Sequence, residues 1–339
     1  MRFYIFILLL PLAISCHTKE NKVAVLYDEI MLDHNTGEKH PENPERVRSA
    51  ALSIKKNANL FNNLIWPSIK SATDDELKLA HTESYLNLVK SEINKLKNNQ
   101  QAYLSTGDVV ISKDSERASR IAVGAGLTGI DMIMRGDVTS AFALVRPPGH
   151  HATSNKGMGF CLFNNIAIAA KYLQKKYGIK RILIVDYDVH HGNGTQDIFY
   201  DDGSVFYFSV HQHPLYPGTG SASEIGFGNG DGATLNVELS EGSGDDLLIE
   251  AFNEKLLPQM KKFKPEFILV SSGFDGHKDD ALGGLSYSAF GYRTVARILK
   301  NEAKKYTDNK IMFMLEGGYT KSSTNESIIA VIDELTAKN

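Results

Sequence analysis

Short apolar segments without the alternation of a half-exposed strand recur along the 339-residue chain. They are rich in Val, Ile, Leu and Phe. Six of them are Val23–Leu26, Ala141–Val145, Ile182–Val185, Val205–Val210, Phe267–Val270 and Ile311–Leu315. Continuous apolar segments of this kind are typical of strands that are covered on both faces. The pattern therefore predicts a set of buried, mostly parallel strands.

Segments with helical spacing lie between several of these strands. In Glu45–Leu60, the apolar residues Val47, Ala50 and Ile54 recur at this spacing, and Pro44 suits the first turn. Further helices are predicted at Asp114–Met134, Asn164–Tyr177, Asp245–Phe263, Ser288–Tyr306 and Thr324–Leu335. Strands that alternate with helices predict an α/β fold, here one domain from residue 22 to 339. We expect three layers, α/β/α, around a mostly parallel central sheet.

The first residues have the pattern of a signal peptide, which we place at residues 1–15. The apolar stretch Phe3–Ile14 is shorter than the roughly 20 residues that a membrane-spanning helix needs. Ala-Ile-Ser-Cys resembles the lipobox of bacterial lipoproteins, although Ala13 stands where Leu is usual. We expect Cys16 to be the mature N-terminus and a lipid attachment site, so that the anchored protein faces the periplasm or the cell exterior. Ordinary cleavage after Ser15 would give the same mature start.

The amino-acid composition limits the possible metal ligands but does not identify the class of protein. Hydrophobic residues make up 42% and charged residues 23%, which is ordinary for a globular chain. The net charge of -3 gives no reason to expect a nucleic-acid partner. The two cysteines, Cys16 and Cys161, are too few for a disulfide framework or a Cys-rich zinc site. A metal ion would therefore be held by His, Asp and Glu.

Polar or Gly-rich turns follow five of the predicted strands. They are RPPGHHA after Val145, DYDVHHGNGT after Val185, HQHPLYPGTG after Val210, SSGFDGH after Val270 and EGGY after Leu315. The carboxyl ends of parallel strands meet at one edge of the sheet, where open α/β folds bind ligands. We expect the polar side chains of these turns to lie together there.

Two of these turns carry a candidate metal site. Residues two apart share a face of an extended strand, so Asp186, Asp188 and His190 would point the same way. Asp275 holds the corresponding place after another strand. Asp188, His190 and Asp275 would give zinc an O/N/O ligand set with a position open for water. The alternative is a solvent-exposed polar turn.

Three further side chains at the same edge could take part in catalysis, two as acid and base and one as a hydrogen-bond donor. His150 and His151 follow Pro147-Pro148-Gly149, and adjacent histidines on a stiff loop can serve as general base and acid. Tyr319 follows two glycines, and its phenol can donate a hydrogen bond to an oxyanion.

Two other patterns are predicted to be structural. Gly124–Gly129 matches GxGxxG inside a predicted helix, without the strand and turn that a dinucleotide fingerprint requires. We expect these glycines to permit close helix packing. Cys161 has no base specified beside it, so we expect a packed thiol.

Five ordered motifs, RPPGHHA, GFCLFNN, DYDVHHGNGT, GFDGHKDDALGG and LEGGY, resemble those of the histone deacetylase superfamily. The likeness is strongest to class II and bacterial deacetylase-like amidohydrolases. LDHNTGEKHPENPERVR and AHTESYLNLV resemble the same family, so the match extends from about Val23 to Tyr319. It implies an arginase/deacetylase-like fold and zinc-dependent hydrolysis of an acylated amine.

The resemblance also implies a role for each candidate catalytic residue. His150 and His151 would be the paired acid and base, and Asp186 would orient the first of them. Asn193 would stand behind His151 without a charge, so the pKa of His151 should be raised less. Tyr319 would bind the substrate carbonyl. The zinc ligands would be Asp188, His190 and Asp275.

Further family features map onto a tunnel and an ion site. Gly159, Phe160 and Tyr216 resemble the walls of an acyl-lysine tunnel, Leu282 its mouth, and Asp108 a residue that grips the substrate backbone. A structural potassium site is implied at Asp186, Asp188, His190, Ser209 and Val210.

Several functions stay open at this point. An acetylpolyamine deacetylase would share the chemistry, but polyamine-selective members can carry Glu at the tunnel mouth, where this chain has Leu282. A two-manganese ureohydrolase of the arginase type lacks support, because its Asp-x-His-x-Asp motif is absent. A non-catalytic or acetoin-utilisation-type member would keep the fold, but the intact ligand set and Tyr319 argue against it. The expected partner is an acylated amine, with membrane contact only through Cys16.

Overall fold

The computed structural model describes residues 22–337. The signal peptide predicted at residues 1–15 and the lipid attachment at Cys16 lie outside the described residues. Within that range, no helix combines the length and the apolar character needed to cross a membrane.

The core of the described chain is an eight-stranded sheet in which every pairing is parallel. All strands, in chain order, are β1 (Val23–Leu26), β2 (Leu64–Ile65), β3 (Ala102–Tyr103), β4 (Val110–Ile111), β5 (Ser140–Ala143), β6 (Ile182–Asp186), β7 (Val205–Gln212), β8 (Thr234–Leu239), β9 (Phe267–Ser272) and β10 (Ile311–Leu315). The order across the sheet is β2-β1-β5-β10-β9-β6-β7-β8, and β3 and β4 form a separate antiparallel pair.

Helices cover the sheet. They are α1 (Glu45–Lys56), α2 (Asp74–Leu77), α3 (Glu83–Lys95), α4 (Ser115–Arg135), α5 (Asn165–Tyr177), α6 (Asn193–Phe199), α7 (Asp245–Glu250), α8 (Leu257–Phe263), α9 (Ala289–Tyr306) and α10 (Lys321–Thr336). Helices α4 and α5 pack together, and α4 lies on β1, β5 and β10. Helix α10 packs against α1 and α9 and also contacts β1. The result is the predicted single α/β domain with three layers.

Local sequence explains where helices α4 and α5 end and how α5 begins. Helix α4 ends at Gly136, which adopts the left-handed conformation at φ 76°, and α5 ends at Gly178 at φ 66°. Glycine adopts this conformation without the steric penalty of a side chain. At the start of α5, the side chain of Asn164 accepts the N–H of Ala167, which satisfies one of the free amides of the first turn.

The GxGxxG pattern is a packing feature, as predicted. A Cβ atom at Gly124 would lie 1.8 Å from the carbonyl oxygen of Lys70, and one at Gly126 would lie 2.7 Å from Cε of Met314. A Cβ at Gly129 would come equally close, at 2.7 Å, to Cε of Met312. Helix α4 therefore approaches β10 and the loop between β2 and α2 only because these positions lack side chains.

The six predicted strands are all present, but other elements were not predicted. Strand β8 was not predicted because buried and half-exposed residues alternate along this edge strand. Helix α3 overlaps the segment AHTESYLNLV, which was noted in the sequence only for its resemblance to the family and was not predicted to be helical. The predicted helix Asp245–Phe263 is interrupted by a π-helical turn at Ala251–Leu256, between α7 and α8.

Candidate active site

Five adjacent strands deliver the candidate residues to one edge of the sheet. In sheet order β5, β10, β9, β6 and β7, the following turns carry His150, Tyr319, Asp275, Asp188 and Tyr216. The predicted convergence is thus confirmed for the five polar turns. Because each residue follows a fully buried strand, the sheet fixes the spacing of the site.

Asp188, His190 and Asp275 form a compact group of possible metal ligands. One ligand atom from each lies within 4.8 Å of the others. Nδ1 of His190 is 3.0 Å from Oδ1 of Asp188 and 3.2 Å from Oδ2 of Asp275. Oδ2 of Asp275 is buried without a well-aligned hydrogen-bond donor. The group consists of two carboxylates and an imidazole, and one buried carboxylate oxygen lacks a well-aligned hydrogen-bond donor. This set of ligands fits a divalent cation such as zinc.

Backbone amides hold both carboxylates in place. Asp188 accepts the N–H of Gly317 at 2.8 Å and that of His190 at 2.9 Å, and Asp275 accepts the N–H of Val189 at 3.0 Å. A Cβ at Gly317 would lie 1.9 Å from Oδ2 of Asp275. Only glycine can therefore stand at position 317. Such supporting contacts orient metal ligands before the ion binds.

His150 is paired with a carboxylate. Its Nδ1 lies 3.0 Å from Oδ2 of Asp186, and the hydroxyl of Tyr207 donates to the same oxygen at 3.2 Å. Burial would lower the pKa of His150, but the surrounding negative charges, Asp186 first among them, raise it to about 10. A cation at the neighbouring ligand group would act in the opposite direction.

His151 is paired with an uncharged amide instead. Its Nδ1 lies 2.8 Å from Oδ1 of Asn193, and its ring centroid is 4.0 Å from that of His150. Burial, followed by the charges of His150 and His190, holds the pKa of His151 well below its usual value. A pKa that is raised less was predicted from Asn193; the pKa is instead lowered, by burial and the two histidine charges, while the hydrogen bond with Asn193 acts to raise it. His151 is therefore neutral at pH 7, and the contact with Asn193 favours a proton on Nδ1 and a free Nε2.

A cavity of about 250 Å³ leads to His151 and His190. It is lined by Asp108, His151, Gly159, Phe160, His190, Leu215, Tyr216, Leu282 and Tyr319. All five residues predicted for the tunnel are among them. Asp108 accepts the N–H of Gly159 at 2.7 Å. Leu282 is 37% exposed at the mouth, and Tyr216, which forms part of the wall, is 39% exposed.

Tyr319 borders the same cavity and is held by a buried arginine. The guanidinium of Arg46 lies 4.8 Å from the centre of the Tyr319 ring, and its Nε donates to the carbonyl of Gly318 at 2.6 Å. Burial raises the pKa of Tyr319 well above its usual value. The phenol therefore keeps its proton and can donate a hydrogen bond into the cavity.

Comparison with known proteins identifies the family. The Histone deacetylase domain family matches residues 40–335. The chain belongs to the histone deacetylase family. The chain is similar in structure to the crystal structure of the HDA15 HD domain, with a TM-score of 0.87 at 39% identity, covering 94% of this chain and 88% of that one.

Curated relatives agree with this assignment. The deacetylase is 37% identical over 308 residues to Histone deacetylase 10, chloroplastic, of Oryza sativa, covering 88% of this chain and 69% of that one. It is 35% identical over 315 residues to a Probable deacetylase of Archaeoglobus fulgidus, covering 91% and 85%. It spans only 49% of Histone deacetylase 5 of Arabidopsis thaliana. Membership makes the chain a hydrolase of acetylated amide bonds.

A buried network behind the deacetylase site was not predicted. Oε1 of Glu42 lies 2.8 Å from Nε of Arg146 and 3.2 Å from Nη1 of Arg46, and all three side chains are buried. Burial would raise the pKa of Glu42, but the two guanidinium groups outweigh it and keep the pKa below its usual value. The signal was present in the sequence, because charged residues stand inside the motifs HPENPERVR and RPPGHHA.

Glu316 is a second supporting residue that the sequence did not reveal. Its Oε2 accepts the N–H of Gly149 at 2.6 Å and that of His150 at 3.1 Å, and its Oε1 accepts the hydroxyl of Ser271 at 2.9 Å. Burial, with the charge of Asp186, outweighs the attraction of His150 and raises the pKa of Glu316 to about 7. The available sequence signal for Glu316 was an acidic residue directly after a buried strand, in the motif LEGGY.

Ser209, Val210 and Cys161 are the remaining residues for which the sequence predicted a role. Ser209 pairs with Asp186 across β6 and β7, and Val210 follows Ser209. Oγ of Ser209 lies 2.9 Å from Nδ1 of His211. Cys161 is buried, and burial raises the pKa of its thiol well above the usual value. It is the packed, unreactive thiol that was predicted.

Proposed function

We propose that this deacetylase is a zinc-dependent amidohydrolase that removes acetyl or other acyl groups from acylated lysine or a related amine. The observation that carries the proposal is the ligand group Asp188, His190 and Asp275 beside a narrow cavity that is also lined by His151 and Tyr319. Family membership supplies the reaction class, and the donor set favours zinc.

The roles of the protein's own residues follow from their positions. A zinc ion at the ligand group would supply an activated water near neutral pH. His151 lines the cavity with a neutral imidazole, so its Nε2 can accept a proton from the attacking water and return it to the leaving amine. His150, held by Asp186, stays behind it as a charged neighbour. The hydroxyl of Tyr319 donates a hydrogen bond to the acyl oxygen as negative charge develops there.

The shape of the cavity favours acylated lysine as the substrate class. Phe160, Leu215 and Tyr216 give apolar walls that suit a methylene chain. Leu282 stands at the exposed mouth, where a carboxylate would attract the second charge of an acetylpolyamine. Leu282 in place of an acidic residue at the mouth therefore favours a lysine side chain over a polyamine.

A substrate panel tests this proposal. The zinc-loaded protein is assayed with acetyl-lysine and longer acyl-lysine peptides, acetylpolyamines and N-acetyl sugars. We expect acyl-lysine hydrolysis that chelation abolishes and added zinc restores. Faster turnover of acetylpolyamines would reassign the substrate. Stoichiometric zinc without hydrolysis of any acyl amide would instead indicate a non-catalytic binding protein.

We also propose export and lipid anchoring of the deacetylase. The support is the apolar stretch Phe3–Ile14 followed by Cys16. Metabolic labelling with a fatty acid should mark the wild type and leave Cys16→Ala unlabelled. Equal labelling of both proteins would contradict the anchor.

A structural potassium ion near Asp186 and Ser209 remains a proposal of the same kind. Its support is the pairing of these two residues across β6 and β7. If the ion binds there, replacing potassium by a bulky organic cation at equal ionic strength should lower the thermal midpoint. An unchanged midpoint would argue against the ion.

A further inference from the structure

We infer that Asp280 is a positioning residue whose carboxylate ties the mouth of the cavity to the backbone of Tyr319. Its Oδ2 accepts the N–H of Tyr319 at 2.7 Å and that of Thr320 at 2.9 Å. Its Oδ1 accepts the N–H of Leu282 at 3.0 Å. One side chain thus joins the residue at the mouth to the residue that binds the acyl oxygen, a role of Tyr319 that rests on the proposed function.

Tyr319 needs such an anchor because of the residues that precede it. Gly317 and Gly318 come immediately before it, and Gly318 has a φ of 116°. Glycine leaves the backbone free to adopt many conformations, so the orientation of Tyr319 depends on its contacts. Arg46 provides one of them from the buried side. Asp280 provides the other, through the peptide amides on the side of the cavity mouth.

The carboxylate is also favourably placed for helix α10. Thr320 is the N-cap of this 16-residue helix, and the amide of Thr320 points at Asp280. Free amides and the helix dipole make a negative charge favourable at this end. Loss of Asp280 would leave the amides of Tyr319 and Thr320 to find water as their acceptor, and the start of α10 would become less ordered.

The position of Asp280 is itself fixed from the sheet. Its N–H donates to the carbonyl of His277 at 2.8 Å, and the N–H of His277 donates to the carbonyl of Phe274 at 3.2 Å. His277 is buried. The loop that carries Leu282 is therefore connected to β9 at one end and to Tyr319 through Asp280. A substrate that presses on Leu282 would act on the position of Tyr319 as well.

Kinetics of substituted proteins test this role. In Asp280→Ala we expect kcat on a small acetyl-lysine substrate to fall about tenfold while KM changes less than about twofold, because a misplaced Tyr319 is felt in the transition state. Asp280→Asn keeps one acceptor oxygen and should give an intermediate kcat. Asp279→Ala is the matched control, because the Asp279 side chain is 63% exposed in the same loop. It should behave as the wild type.

A double-mutant cycle shows whether Asp280 acts through Tyr319. In a Tyr319→Phe background, Asp280→Ala should lower kcat by less than about twofold, because the hydroxyl that it positions is already gone. Full additivity of the two losses would overturn the inference. So would a wild-type kcat in Asp280→Ala.

Hydrogen exchange provides a readout that does not need activity. The amides of Tyr319 and Thr320 should exchange faster in Asp280→Ala than in the wild type and Asp279→Ala, while β6 and β9 keep their protection. Unchanged exchange would overturn the inference even in an active enzyme. If the wild type hydrolyses no acyl amide, the proposed function fails, and the exchange result still decides whether Asp280 holds this segment.

Discussion

Nδ1 of His151 lies 2.8 Å from Oδ1 of Asn193, so a neutral amide supports the histidine that lines the cavity. Its neighbour His150 is supported by a carboxylate, Asp186, at 3.0 Å. The two imidazoles, with ring centroids 4.0 Å apart, cannot both be charged without strong repulsion. The different partners therefore assign the positive charge to His150 and the free base to His151.

Asn193→Asp should move the pH dependence of turnover. Burial and the charge of His150 hold the pKa of His151 below its usual value, and a new carboxylate would raise it by about 1–2 units. Because His151 must be neutral to accept a proton, the acidic limb of the kcat/KM profile should shift to higher pH. The measurement is a profile from pH 5 to pH 9, a range of about two units on each side of neutral.

Asn193→Ala is the control for this shift. It removes the hydrogen bond without adding a charge, so kcat should fall while the acidic limb stays or moves to lower pH. If the profile of Asn193→Asp superimposed on that of the wild type, His151 would not be the base.

Tyr319→Phe should affect turnover more than binding. The phenol donates its hydrogen bond as charge develops on the acyl oxygen, so we expect kcat to fall about 100-fold while KM changes less than about threefold. Tyr103→Phe is the control, because Tyr103 is 71% exposed on the β3–β4 pair. A rise in KM with an unchanged kcat would indicate that Tyr319 binds the ground state as strongly as the transition state.

The fold and the reacting residues were predictable because they depend on local sequence. Continuous apolar segments marked the strands, and parallel strands bring their following turns to one edge. Asp188 and His190 were expected to share a face of an extended strand, but β6 ends at Asp186, and the bend that follows the strand brings the two side chains together. Asp275 needed only the further inference that its strand is a neighbour, which the sheet order confirms.

The supporting residues were not predictable in the same way. Glu42 and Arg146 are 104 positions apart, and Asp280 and Glu316 accept backbone amides whose directions depend on loop conformation. Hydrophobic periodicity carries no information about such contacts. Their polar character at buried or half-buried positions becomes visible only when the chain is folded.

Glu42→Gln should destabilise the protein strongly. The substitution removes the negative charge between Arg46 and Arg146 and leaves two buried guanidinium groups without a counter-charge. We expect the free energy of unfolding to fall by about 3–5 kcal/mol. Urea unfolding followed by circular dichroism measures it.

Glu45→Gln is the matched control for this loss. Glu45 lies three residues along the chain and pairs with Arg48 at the surface, where both side chains are about half exposed. Its loss should change the free energy of unfolding by less than about 0.5 kcal/mol. If both substitutions had equally small effects, the buried network would contribute little to stability.

Glu316→Gln should make stability less sensitive to pH. The pKa of Glu316 is raised in the folded protein to about 7 from an ordinary value of 4.5. A raised pKa means that the folded state favours the neutral acid, so stability is fully present below pH 4.5 and is lost as pH rises through 7. Between these limits the wild type should lose about 3 kcal/mol relative to Glu316→Gln.

The substitution keeps the shape of the side chain, so the comparison isolates the charge. A glutamine oxygen can still accept the amides of Gly149 and His150, and its NH₂ group can donate to the hydroxyl of Ser271. The measurement is the free energy of unfolding of both proteins from pH 4.5 to pH 8, which brackets the folded pKa of about 7. Ser271→Ala is the control that weakens one hydrogen bond and keeps the acid, so its stability should follow the wild-type dependence on pH.

Parallel curves for Glu316→Gln and the wild type would mean that Glu316 is charged in the folded protein at neutral pH. The loop of His150 would then be held by a carboxylate ion.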